Sequence, residues 1–173
     1  MTSASDGTLN GFDLDVIGTL QGCIREDPER AHPMYATTVR WLGGQRSESV
    51  LAGGTRLQVD EPPECSGTGS APTPEDYLLS AVGSCLTAAW VGALTTRGIA
   101  ITALEVDVRG RVNFAGAYLL DGTPPGFESI EIDVRLDADA DPATLQELSG
   151  EVLKMSIIPD TIVRAVPVSM RLR

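Results

Sequence analysis

The sequence predicts an α+β fold, a mainly antiparallel sheet around one buried central helix, and three observations carry that prediction. A strand-like run rich in β-branched and aromatic residues precedes, and runs with period-two apolar alternation follow, a single long segment, residues 73–97, whose central twenty residues carry no charge. Along that segment the large side chains Leu78, Val82, Leu86, Trp90 and Leu94 recur every fourth residue, so one row can fill a core beneath a sheet. The order is strands, helix, strands, helix, strand, which is not the regular alternation of βαβ units.

Composition narrows the function classes. The 173 residues, 42% hydrophobic and 21% charged, have the balance of a globular chain able to bury a core of its own. Acidic residues outnumber basic ones 24 to 13, and the resulting charge of −11 repels phosphate backbones and anionic lipid headgroups. Nucleic-acid and membrane partners are therefore not expected. His32 is the single histidine, so zinc sites and Ser-His-Asp or Cys-His machinery lack an imidazole unless His32 supplies it. No metal or nucleotide cofactor is implied. Cys23, Cys65 and Cys85 contain no C-x-x-C pair and are odd in number, which fits a reducing compartment. Asp6, Asp13 and Asp15 precede the short apolar pair Val16 and Ile17, unlike a secretory signal, so the expected location is the cytoplasm.

Each element follows from local chemistry. Residues 1–10 are small and polar and read as a frayed leader. Phe12, Val16, Leu20 and Cys23 then lie three or four apart, one face of a short helix ending before Asp27 and Pro28. Met34 to Leu42 is rich in β-branched and aromatic residues and closes on Gly43 and Gly44, which predicts a strand and a turn. A second strand is expected over Thr55 to Asp60, with Gln45, Arg46 and Ser47 in the connecting loop. Residues 61–73 are rich in Pro, Gly and Ser; Ser66 to Ser70 lacks the G-K-[ST] ending of a phosphate loop, so a plain linker is expected.

The central helix opens with Thr73 as N-cap, Pro74 at the first helical position and Asp76 three residues after the cap, and Gly98 stops it. Its serines and threonines make it only weakly apolar for a membrane span, so a buried helix is expected. Later strands are marked by Leu104, Val106 and Val108, by Ile130, Ile132, Val134 and Leu136, and by Val166, Val168, Met170 and Leu172. Between the last two, Leu145, Leu148, Val152 and Met155 line one side of a helix over Pro142 to Met155.

Beside its large row, the central helix carries two rows of small residues: Ser80, Ser84, Ala88, Gly92 and Thr96, then Ala81, Cys85, Ala89 and Ala93. Adjacent small rows let another helix approach closely. Cys85 among alanines is either an inert small apolar residue or a reactive thiol. The helix macrodipole acts over the first turn, so a thiolate at Cys85 needs a nearby cation. Arg40, Arg46 and Arg56 of the first hairpin are the candidates, and Glu75 could orient a guanidinium through a bidentate pair.

These residues carry a resemblance. The run TPEDYLLSAVGSCL from Thr73 to Leu86 resembles the helix motif of the OsmC/Ohr family of thiol-dependent peroxidases. WLGG from Trp41, EPP from Glu61, RGI from Arg97, GFESI from Gly126 and VPVSMRL from Val166 are similar to that family in order and spacing. The resemblance covers residues 34–173 and leaves 1–33 as an N-terminal extension with a short helix. It implies an OsmC-like fold and an intertwined homodimer with peroxidatic cysteines at the subunit interface, each helped by an arginine and a glutamate. Cys85 and Glu75 match the family positions. Ten residues, about 15 Å along one straight helix, separate them, so a shared site requires an antiparallel partner helix.

The family's arginine aligns most simply with Gln45, leaving Arg46 one residue away as the candidate. Its second cysteine, which resolves the sulfenic acid, aligns with Ser156, which cannot form a disulfide; Cys65 is a possible substitute. The expected activity is reduction of organic hydroperoxides through a Cys85 thiolate and sulfenic acid, in an oxidative stress response, with an external thiol or dithiol as reductant. An apolar pocket built from Leu86, Trp90 and the strand faces would favour alkyl hydroperoxides. The alternative is an OsmC-like dimer without peroxidase turnover that binds a small apolar ligand.

Overall fold

The computed structural model describes residues 8–164 and 166–172; the leader expected over residues 1–10 lies outside them up to residue 7. Among the described residues two compact units emerge, one spanning Asp15–Leu78 and the other holding residues 8–14 together with those from Leu79 onward.

In the first unit, α1 (Leu14–Glu26) is followed by a 3-10 turn at Pro28–Ala31 that the Asp27 side chain caps. The expected helix is present, but Val16 and Leu20 on its apolar side are exposed. A meander follows: β1 (Thr37–Gly43), β2 (Arg46–Leu51) and β3 (Arg56–Val59), antiparallel in the order β1-β2-β3. Gly43 and Gly44 adopt positive φ, 107° and 58°, which makes the tight β1–β2 turn possible. The residues from Arg46 onward, expected as hairpin loop, are instead the central strand. Its polar run RSESVL has no period-two apolar signal, and it is held by pairing on both edges and by Glu48, which accepts from Arg56 and, at 2.8 Å, from Gln58 Nε2.

The second unit contains the core. The central helix α2 (Pro74–Thr95) enters it at Leu79 and lays Val82, Leu86, Trp90 and Leu94 against the ribbon of β4 (Ile101–Asn113) and β5 (Gly126–Ala138). Leu104, Val106 and Val108 face α2 beside their register partners Leu136, Val134 and Ile132, as the alternation predicts. A short helix α3 (Phe114–Ala117) joins the strands, and α4 (Pro142–Met155) closes the core with Leu148 and Val152. The opposite face of the ribbon is charged, with Arg135 bridging Glu105 and Asp107 and Arg109 paired with Asp133. By length and composition α2 could cross a membrane, but its large row is committed to this core.

Four further details depart from the sequence reading. Phe12 is not on α1: it closes a turn with Leu9, donating its N–H to the Leu9 carbonyl at 2.9 Å, and its ring packs beside Gly92. Asn10 in that turn donates to Thr95 Oγ1 and the Ile99 carbonyl and accepts from the Ile101 N–H, so residues 8–10 are not frayed. An additional helix, α5 (Ile157–Val163), begins after Ser156. The strand expected over Val166 to Leu172 pairs with no described strand; Val168 and Met170 are each 95% exposed. Period two reports that a segment suits a sheet face, not that an edge is there to receive it.

Candidate functional site

The start of α2 is built as its sequence dictates. Thr73 Oγ1 accepts from the Asp76 N–H at 3.2 Å while Asp76 Oδ2 accepts from the Thr73 N–H at 2.9 Å, a reciprocal cap with Pro74 between them. At the other end the Gly98 N–H donates to the Thr95 carbonyl and the Ile99 N–H to Leu94, both at 3.0 Å, the double closure that Gly98 permits. Between these ends the helix is unbroken, so Glu75 and Cys85 remain ten residues, about 15 Å, apart along its axis.

Cys85 is a free, half-buried thiol in mid-helix. Ala81 and Ala89 in its own row are half-buried, whereas Ser80, Ser84 and Ala88 in the adjacent small row are exposed. Glu75 is half-buried in the first turn of α2. Arg46 stands exposed at the start of β2, where alternation places it on the face of Glu48, Arg56 and Gln58; among the described residues it has no carboxylate partner. Arg56 is paired with Glu48, and Arg40 is exposed opposite Glu48 across the β1–β2 pair.

The segment from 61 to 73 is not a plain linker. Asp60, fully buried at the end of β3, gathers it: its carboxylate accepts from the Thr68 and Ser70 hydroxyls and from the N–H groups of Glu61, Thr68 and Ser70. These donors, the Thr68 hydroxyl first, hold the Asp60 carboxyl well below the usual carboxylate range. The Asp60 N–H meets the Pro72 carbonyl at 3.2 Å and closes the loop at its base. Inside it, Gly67 lies so close to the Glu61 carbonyl that a Cβ would sit 1.7 Å from the oxygen. Sequence reasoning missed Asp60; its signal was an aspartate at a strand end followed by Thr and Ser, residues that bond locally to backbone and carboxylate.

Cys65 ends a 3-10 turn in this loop, half-buried, and its carbonyl accepts from Gln45 Nε2 at 3.3 Å. Ser156 is 1% exposed at the α4–α5 junction and donates its hydroxyl to the Val152 carbonyl at 2.6 Å. An apolar recess of about 200 Å³ is lined by Leu86, Trp90, Ile132, Val134, Val152 and Leu153, with Ser149 at its side; Cys85 does not line it.

Glu61 is pushed the other way from Asp60: burial first, then the negative charges of Glu75, Asp60 and Asp76, raise its carboxyl above its ordinary 4.5. A carboxyl raised in the folded state loses folding stability as pH rises through that range, because the native protein there binds more protons than the unfolded chain. Glu61→Gln is therefore expected to raise the melting temperature at pH 7 and to give no gain below about pH 4. Thermal melts of both proteins at the two pH values check this, and equal midpoints at pH 7 contradict it.

Comparisons with known proteins bear on the whole arrangement. The family model described as OsmC-like protein matches residues 67–171, more than half of the chain. No curated protein matches. Among solved structures, an OsmC like protein from Mycoplasma pneumoniae is 16% identical with a TM-score of 0.66, covering 76% of this chain and 89% of that one. An organic hydroperoxide resistance protein OsmC from Legionella pneumophila is 17% identical with a TM-score of 0.54, covering 75% and 90%. The organic hydroperoxide resistance protein OhrB of Bacillus subtilis is 17% identical with a TM-score of 0.52, covering 74% and 89%. At such identities the structural likeness is one of fold, antiparallel sheet with a central helix, while the family match runs through α2, its cysteine and both later strands: the chain belongs to the OsmC-like protein family.

Proposed function

We propose that this protein is a cysteine-dependent reductase of organic hydroperoxides, acting in the cytoplasm as a homodimer. The observation that carries the reading is a free, half-buried Cys85 on the small-residue side of α2, ten residues from a half-buried Glu75 on the same helix. An antiparallel α2 from a second copy would set Glu75 of the partner subunit opposite Cys85, with the two-fold axis beside Ser80, midway between them. Exposed apolar side chains support a second copy: Trp41 is 77% exposed, and Met34, Tyr35, Val39, Val168, Met170 and Leu172 are exposed with it.

In the proposed reaction the Cys85 thiolate attacks the terminal oxygen of the hydroperoxide. An S–O bond forms as the O–O bond breaks; sulfur is oxidised, and the departing alkoxide takes a proton to become the alcohol. Arg46 is the proposed cation that favours the thiolate, oriented by Glu75. Ser156 has no thiol to resolve the sulfenic acid, so an external thiol condenses with it, releasing water, and a second thiol frees Cys85 as a disulfide leaves.

Turnover tests the reading. With a dithiol reductant, cumene hydroperoxide is expected to be consumed faster than hydrogen peroxide, and light scattering is expected to give twice the chain mass. A monomer would remove the shared site. A second reading, a dimer that binds a small apolar ligand without turnover, is favoured by Gln45 being occupied with the Cys65 carbonyl and by the apolar recess away from Cys85. Saturable binding of an apolar fluorophore with no peroxide consumption would select it.

A further inference from the structure

Glu75 lies between two ties that join the start of α2 and the residues just before it to β3 and the residue just after it. On its N-terminal side the Asp60 N–H holds the Pro72 carbonyl at 3.2 Å, and the buried Asp60 carboxylate keeps the intervening loop folded through its five donors. On its C-terminal side the Tyr77 hydroxyl donates to the Gln58 carbonyl at 2.7 Å. Gln58 lies in β3, paired with Glu48 of β2, and Asp60 directly follows the strand's last residue, Val59, so the two ties end two residues apart.

The geometry of a helix gives these ties different effects. The Pro72 contact fixes where α2 starts. Residues two apart project about 200° from one another around the axis, so Tyr77 pins the side of the helix facing away from Glu75 and fixes its rotation. Start and rotation together set where the Glu75 carboxylate points. Neither tie is needed for the helix to form, because the reciprocal Thr73–Asp76 cap already satisfies its first turn.

We propose that Tyr77 and Asp60 are positioning residues for Glu75, aiming its carboxylate at the thiol site through the Gln58 and Pro72 ties. The proposal rests on the peroxidase reading and adds to it the groups that preorganise the acid.

The test is a double-mutant cycle on the rate of Cys85 oxidation by cumene hydroperoxide in the reduced full-length protein, using Tyr77→Phe, Glu75→Gln and the pair. Tyr77→Phe is expected to slow oxidation about tenfold, with a melting temperature within about 3 °C of the parent. In the Glu75→Gln background the same substitution is expected to cause no further slowing. A purely structural tyrosine would slow both backgrounds equally, and that result, or an unchanged rate, overturns the proposal. Asp60→Asn, run through the same cycle, reads the other tie should Tyr77→Phe fold poorly. A parent protein whose Cys85 reacts no faster than a free thiol would retire the peroxidase reading itself, an outcome visible before any variant is made.

Discussion

Cys85→Ser is expected to lower hydroperoxide consumption at least about a thousandfold, to the rate of the reductant alone. A hydroxyl at this position is not ionised at neutral pH and is a poor nucleophile towards an O–O bond, so nothing else in the proposed mechanism compensates. Cys65→Ser and Cys23→Ser are expected to leave single-turnover oxidation of Cys85 intact, because those thiols lie in the 3-10 turn at Pro63–Cys65 and in α1. Coupled peroxide assays of the three variants check the assignment. Retained activity in Cys85→Ser would move the chemistry to another thiol.

The second large effect is on stability. Trp90 is 4% exposed between α2, β5 and α4, in the buried cluster with Leu86, Leu94, Leu148 and Val152. Trp90→Ala removes the largest member and enlarges an existing recess, and is expected to cost about 3–5 kcal/mol. For a protein of this size that lowers the melting temperature by roughly 6–20 °C. Denaturant melts with unchanged slope measure it. A loss under about 1 kcal/mol would mean that this row does not hold the core.

Most of this core was legible because independent signals agreed. For α2 the cap residues, the four-residue row of large side chains and Gly98 all pointed to one helix, and Val82, Leu86, Trp90 and Leu94 are buried as that row requires. The exposed Leu78 is where the row leaves the core. Strand β2 was not legible: its polar side chains stabilise it through Glu48, Arg56 and Gln58, contacts that appear only once neighbouring strands are paired. Val166 to Leu172 failed in the opposite sense, since alternation is a local property and pairing is not. Helix α5 is short, carries Pro159 and follows Ser156 without a side-chain cap bond, so it offers few of the usual starting signals.

The candidate site was legible in part. Glu75 and Cys85 were named from the helix motif, and their separation along the axis is a consequence of helical rise. What the sequence could not display was how the loop before α2 is held. The Asp60 hub uses backbone N–H groups and hydroxyls spread over ten residues of a segment whose composition reads as linker. Gln45 likewise has a use that its residue type does not announce, closing the hairpin turn onto the Cys65 carbonyl.

The central claim is that Cys85 is an activated peroxidatic thiol. Its most direct test is a single-turnover reaction of the reduced protein with cumene hydroperoxide, quenched on a time series and read by mass spectrometry at Cys85. Stoichiometric sulfenic acid is expected at Cys85, formed far faster than the oxidation of a free thiol under the same conditions. Oxidation no faster than the free thiol would contradict it and leave the ligand-binding reading in its place.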